Sequence, residues 1–307
     1  MNLTGLGIWT AQFDFQPASV VRDTVQELEA LGYGSLWVGE NIGREPISQS
    51  AILLGATQRL LVATAVANIW ARDPLSTAAA HHTLSEAYPE RFILGLGVSH
   101  TRLVNDVRGL RYHHPVQAMR DYLTAMDQLG NRYRAIRASN TIRLIGALGP
   151  RMLHLAATHT DGAHTYLVPP EHTATARQIL GPGKLLVPEQ AVILDSDKTR
   201  ARDIARRHVR RYLPLTNYTD NLRRLGFDTA DFEHDGSDRL IEALVARGDE
   251  AAIAERLAQH RQAGADHICI QVLDADPRGL PIPQWRRLAA IDNGAPAPTL
   301  AVRPTKE

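Results

Sequence analysis

Leu60-Leu61-Val62-Ala63-Thr64-Ala65-Val66-Ala67 is apolar at every position but Thr64, and Asp73-Pro74 follows one short loop later. An unbroken apolar run marks a parallel strand covered on both faces. Asp directly before Pro places an N-cap ahead of a proline in the first helical turn, where a missing N–H does no harm. The pair reads as a strand feeding a helix, and the helix runs to about Tyr88, where Pro89 forbids more.

The same unit recurs in both directions. Toward the start, residues 6–10 and 35–40 read as strands, and residues 19–31 as a helix with Val21, Val25 and Leu28 on one face and Gly32 as its stop. Toward the end, strands are expected at 92–98, 141–148, 163–168, 190–195 and 267–273. Helices are expected at 116–138, 151–159, 171–180, 197–213 and 249–263. Eight parallel strands alternating with helices predict the α/β class and a (β/α)8 TIM barrel. A doubly wound sheet is the competing fold. It has fewer strands and wants a phosphate-binding turn after the first one, where residues 9–15 hold no glycine. The expected organisation is one barrel domain over residues 1–290, with an extra segment at about 214–248 between the seventh and eighth helices. Residues 291–307, with Gly294, Pro296, Pro298 and Pro304, read as a flexible tail.

Bulk properties narrow the function. The 307 residues are 44% hydrophobic and 22% charged, with a formal net charge of +1. That balance gives no field to hold nucleic acid or an anionic membrane. No signal peptide pattern opens the chain, and no apolar run is long enough to span a bilayer. The single cysteine, Cys269, fits a reducing compartment, so the expected location is the cytoplasm.

In a barrel of this kind, chemistry collects in the loops after the strands. Leu94-Gly95-Leu96-Gly97-Val98-Ser99-His100 is not a dinucleotide fingerprint. His100 stands where the third glycine belongs, and the run lies on the fourth strand rather than the first turn. Gly95 and Gly97 admit either a flat ring or tight packing inside the barrel. Glu40, ending the second strand beside Asn41, suits a general base or a positioning carboxylate, or else an ion pair with Arg44 or Arg72. His81-His82 and His113-His114 suggest metal ligands, but adjacent helical residues face apart and no zinc spacing is present, so no metal is expected.

Four runs carry a further signal. They are Gly32-Tyr33-Gly34-Ser35-Leu36-Trp37-Val38-Gly39-Glu40, then Ala67-Asn68-Ile69-Trp70-Ala71-Arg72-Asp73-Pro74. The third joins Tyr88-Pro89-Glu90-Arg91-Phe92-Ile93 to the glycine run above, and the fourth is Ala263-Gly264-Ala265-Asp266-His267. In this order they resemble the luciferase-like monooxygenase superfamily, and within it the deazaflavin (coenzyme F-420) dependent oxidoreductases. The resemblance implies hydride transfer between the bound cofactor and a small organic substrate: an alcohol, a carbonyl or an activated alkene. It implies cofactor contacts at Thr64, Ala65, Asn68, Gly97, Val98, His100 and Tyr166, and a phosphate held by backbone amides near the run Ala147, Leu148, Gly149 and Pro150. It also implies a cis peptide without proline in the third strand, expected here at Thr64–Ala65. Trp9, Phe13 and Trp70 are expected as walls of the substrate pocket, and Arg72, Arg102 and Arg151 as contacts for the cofactor's acidic tail. Relatives often carry histidine after the acid of the second strand, where Asn41 stands. The proton-transfer role is therefore expected at His100, with Glu40 supporting it. The resemblance further implies a homodimer through the small residues 76–80. FMN-dependent monooxygenation is the alternative chemistry, and a non-catalytic flavin-binding barrel the alternative of another class.

Overall fold

The computed structural model describes residues 3–129 and 133–292. The chain opens with β1 (Gly7–Thr10), α1 (Ala18–Ala30), β2 (Ser35–Val38) and α2 (Pro46–Ala56). Next come β3 (Leu61–Thr64), β4 (Ala67–Asn68), α3 (Pro74–Ala87), β5 (Phe92–Gly97) and α4 (Pro115–Asp127). β6 (Ile142–Gly146), α5 (Pro150–His159), β7 (Gly162–Thr165), α6 (Pro170–Leu180), β8 (Leu185–Leu194) and α7 (Lys198–Val209) follow. The extra segment holds α8 (Thr216–Arg224), α9 (Thr229–Phe232), α10 (Asp238–Leu244) and β9 (Val245–Gly248). The described chain ends through α11 (Glu250–Gln262), β10 (Cys269–Val272) and α12 (Ile282–Leu288).

Every strand pair is parallel, in the order β1-β2-β3-β5-β6-β7-β8, and β10 pairs both β8 and β1 to close the ring. The result is a closed eight-stranded barrel wrapped by helices. Its registers place Gly7 opposite Ser35 and Cys269, and Cys269 opposite Glu189. Ala191 and Val192 of β8 pair with β10 and with β9 at once, so β9 flanks β8 on its other edge, beyond the end of β7. The Asp73-Pro74 signal acts as its chemistry predicts: Asp73 Oδ1 accepts the Ser76 amide at 2.9 Å, and Pro74 is the first helical residue.

Several expected boundaries are corrected. α4 stops at Asp127 rather than 138, and residues 133–141 carry no regular element. α2 is an additional helix, capped by the Glu45 carboxylate on the amides of Ile47 and Ser48. The seventh strand begins at Leu185, not 190. The third breaks after Thr64 and resumes as β4, which pairs β5. The tail expectation at 293–307 lies outside the described residues.

The core has an inner and an outer layer. Side chains alternate along each strand, so Trp37, Ala63, Ile93, Leu144, Val187 and Cys269 fill the barrel while Leu36, Val62, Leu94 and Leu186 meet the helices. The inner plug is partly polar. Trp37 lies between the rings of His164 (5.2 Å) and His267 (6.3 Å), and its Nε1 donates to Ser35 Oγ at 2.7 Å. Burial pulls these histidines down to about 4 and about 3, so both are neutral. This plug closes the barrel below the C-terminal mouth. A second core joins α7 to the extra segment through Ile204, Val209, Tyr218, Leu222 and Ile241.

Candidate active site

The floor of the mouth is set by the break in the third strand. Thr64 Oγ1 donates to Gly95 O at 2.7 Å and accepts the Gly95 amide at 2.9 Å, while the Ala65 amide donates to Val38 O at 2.7 Å. One backbone bond thus reaches past the strand end to Ala65, and the Thr64–Ala65 bond expected to be cis is trans. The cis peptide falls one bond later, at Ala65–Val66. The glycines of β5 receive this bulge. A Cβ on Gly95 would stand 2.0 Å from Thr64 O, and one on Gly97 would stand 2.2 Å from Val66 Cγ2. The space beside both glycines therefore belongs to the neighbouring strand, with Val66 presented between Gly97 and Gly146.

One wall is ionic. Glu40 accepts from Arg72 Nη1 at 2.7 Å, from Arg108 Nη2 at 2.8 Å and from the Asn68 amide at 2.7 Å. Arg72 also reaches Asn68 O and Glu45, and Arg108 reaches the Asn41 carbonyl. The arginine partner expected for Glu40 is thus Arg72, joined by Arg108, which the sequence did not single out. Arg44 instead donates to Gln16 O. Asn68 is 2% exposed; its Oδ1 accepts the Trp70 amide, and its Nδ2 is buried with no acceptor. Trp70 closes this wall by donating Nε1 to Val98 O at 2.8 Å, with its ring against Tyr112 and His113.

The opposite wall is aromatic. Trp9 donates Nε1 to Ala65 O, and its ring centre is 5.2 Å from Tyr166. Tyr166 lies 5.4 Å from Tyr212, which lies 5.0 Å from Tyr218. Tyr166 donates to Gln271 Oε1 at 2.8 Å; having one proton, it must accept from Tyr212 at 2.7 Å. Burial pushes the Tyr212 phenol up to about 12 and those of Tyr166 and Tyr218 well above the usual range. His100 completes this wall, 5.7 Å from Tyr218. Burial holds its imidazole below the usual value of about 6.5, partly offset by a hydrogen bond with Asn217. His100 is therefore neutral at physiological pH. Its partners come from α8, not from Glu40, whose oxygens are taken by the arginines; the expected support of His100 by Glu40 is corrected.

At the third edge, Ala147 donates its amide to His164 O, and Leu148 O accepts from His172 Nε2 at 2.8 Å. α5 begins after Gly149 with Pro150 first and no capping side chain. The exposed Arg224 guanidinium comes within 3.6 Å of where a Gly149 Cβ would be. Phe13 is not at the mouth: its 3-10 turn carries it into the outer core, edge-on to Trp285 at 6.5 Å. Tyr212, Tyr218, Asn217 and Arg224 all lie in or beside the extra segment, whose closure over the mouth no local pattern announced. Among the described residues no group of three or more metal-binding side chains occurs, and no helix is long and apolar enough to cross a membrane.

Residues 7–267 match the family model of luciferase-like monooxygenases. The chain belongs to that family. A Mycobacterium tuberculosis protein named as a coenzyme F-420-dependent oxidoreductase is 29% identical over 51% of this chain and 52% of its own. The chain thus spans about half the length of the curated relatives it matches. Among solved luciferase-like folds, an F-420-dependent secondary alcohol dehydrogenase, in complex with an F-420-acetone adduct, superposes with TM-score 0.74 at 14% identity, covering 94% of this chain and 98% of that one. The oxygenating constituent of 3,6-diketocamphane monooxygenase from Pseudomonas putida, in complex with FMN, superposes with TM-score 0.66 at 14% identity, covering 95% and 97%.

Proposed function

We propose that this barrel is a coenzyme F-420-dependent oxidoreductase that moves a hydride between the cofactor and a small organic alcohol, carbonyl or activated alkene. The observation that carries this reading is the buried Asn68 Nδ2, a donor with no acceptor among the described residues, on the wall that faces the aromatic one. A buried donor left unpaired costs about 1–3 kcal/mol. A heterocycle bearing carbonyl oxygens, lying against Trp9 and Tyr166, would satisfy it. The start of α5, which no side chain caps, and the nearby Arg224 suit a phosphate, since a helix N-terminus and a cation favour negative charge there. The names of the tuberculosis relative and the alcohol dehydrogenase neighbour support deazaflavin. The FMN-bound neighbour supports the second reading, FMN-dependent monooxygenation.

When bound, the deazaflavin supplies the hydride chemistry. The chain's own task is to manage the proton and exclude water. Neutral His100 can accept the proton of an alcohol as its hydride departs, and return it in the reverse direction. Asn41 has no proton to exchange, and Glu40 is held by two arginines. The reading extends to a homodimer through residues 76–80 of α3, which light scattering would remove by showing a monomer.

Anaerobic titration of the apo-protein with coenzyme F-420 and with FMN tests the cofactor. Saturable F-420 binding, weakened about tenfold by Asn68→Ala, is expected; tight binding of FMN alone would overturn the reading. His100→Ala should then lower kcat by about 10²-fold or more while leaving F-420 binding intact.

A further inference from the structure

Glu189 is the one carboxylate that β8 sends into the barrel. Leu185 and Val187 point inward before it, and its register partner is the inward Cys269. It is fully buried. Its Oε2 accepts the Leu167 amide at 3.1 Å, while Oε1 is buried with no partner. Leu167 follows Tyr166 directly and has φ 54°, a left-handed conformation that a branched side chain rarely adopts. The bond from Glu189 is thus made to the one residue where this loop leaves ordinary geometry. Leu167 itself is pinned in the second core, so the loop is held from both sides.

We propose that Glu189 is a positioning residue of the mouth: by holding the Leu167 amide it fixes the turn that aims Tyr166 at Trp9, Tyr212 and Gln271. The geometry stands whether or not the barrel takes a deazaflavin. It follows that the acceptor at position 189 matters and its charge does not. Burial raises the carboxyl to about 8, so Glu189 is protonated at neutral pH and accepts through an uncharged oxygen. The titratable groups facing it are Tyr166, Tyr212, Tyr218 and Cys269, all pushed upward by burial. His164, on β7, is held down at about 4. Glu189 is therefore the group in this pocket that titrates near pH 8.

The sign of its effect on stability is fixed. An unfolded glutamate releases its proton near pH 4.3 and the folded one only near 8. Between those values the folded state binds more protons, so this group lowers stability as pH rises across the window and adds no further change above it.

The test uses the full chain without cofactor, reading near-UV circular dichroism of the Trp9–Tyr166–Tyr212–Tyr218 cluster beside thermal melts. Glu189→Gln keeps an acceptor for Leu167. It should retain the wild-type near-UV spectrum and melt several degrees higher than wild type at pH 8, the two melting points converging below pH 5. Glu189→Leu should lose most of the near-UV signal while keeping its far-UV spectrum. The wild-type near-UV signal should also hold across pH 8, because the ionised carboxylate still accepts the Leu167 amide; its loss there would overturn the proposal, which keeps the test open if the Leu variant fails to fold. A folded Glu189→Leu protein with the wild-type near-UV spectrum overturns the proposal, as does a loss of that spectrum in Glu189→Gln. Failure of F-420 binding would leave these spectra unaffected, so the two readings fail separately.

Discussion

On the β2–β4 side of the mouth Glu40 meets two arginines and a backbone amide, whereas on the β7–β8 side Tyr166, Tyr212 and Tyr218 meet one another, Gln271 and the neutral His100. The ionic wall consists of paired charges, each fixed by a partner. The aromatic wall consists of neutral groups whose protons burial has made harder to lose, next to one imidazole held in its base form. The difference assigns geometry to the first wall and proton handling to the second. It also says how each wall should fail: the ionic one through stability, the aromatic one through the spectrum and chemistry of the site.

The sharpest way to break the comparison is at the floor shared by both walls. Gly95→Ala would put a methyl 2.0 Å from the Thr64 carbonyl oxygen, a backbone atom that can move only with its strand. The expected cost is about 3 kcal/mol or more, read by denaturant unfolding, with poor expression as the extreme. Gly97→Ala meets only the Val66 side chain at 2.2 Å, and Val66→Ala in the same chain should restore most of its stability. A tolerated Gly95→Ala would mean that the bulge is not seated as described.

Next in size is the ionic wall. Glu40→Gln removes the charge that pairs Arg72, which is 12% exposed, and Arg108, which is 28% exposed. Removing one partner of a buried pair costs about 3–5 kcal/mol. The low end is expected, since Arg72 keeps Glu45 and Arg108 can turn to solvent. Denaturant midpoints should fall accordingly, while the near-UV signal of the tyrosines should hold. A lost tyrosine signal would show that the two walls are not independent.

What was legible in the sequence follows the same division. The barrel was readable because strands buried on both faces read as apolar runs, and because Asp73-Pro74 announces a helix by chemistry that acts within three residues. Glu40 was readable as an ion-pairing carboxylate, with Arg44 and Arg72 both open as its partner, because all three stand in loops that follow strands. The aromatic wall was not. Tyr212 lies just before, and Tyr218 within, a segment whose polar surface looks like an excursion, and only the second core it builds on α7 turns it over the mouth. Glu189 was hidden because Pro188, next to it, argues against a central strand. That proline is tolerated where β7 runs out and β9 has not begun. α2 escaped because apolar residues lie on most of its faces, which blurs the helical period.

The smallest effect belongs to the hydroxyl chain. Tyr212→Phe removes the donor to Tyr166 and leaves that phenol still donating to Gln271. One neutral hydrogen bond is at stake, about 1 kcal/mol, so the midpoint should move little. The near-UV spectrum should change more visibly, because Tyr166 loses one of the two bonds that orient its ring beside Trp9. A double-mutant cycle of Tyr212→Phe with Gln271→Leu then separates the two bonds. Independent bonds give a coupling energy near zero, and a value well away from zero would show a cooperative chain. If Tyr212→Phe instead cost as much stability as Glu40→Gln, the aromatic wall would bear the fold as heavily as the ionic one, and the division of labour between them would be wrong.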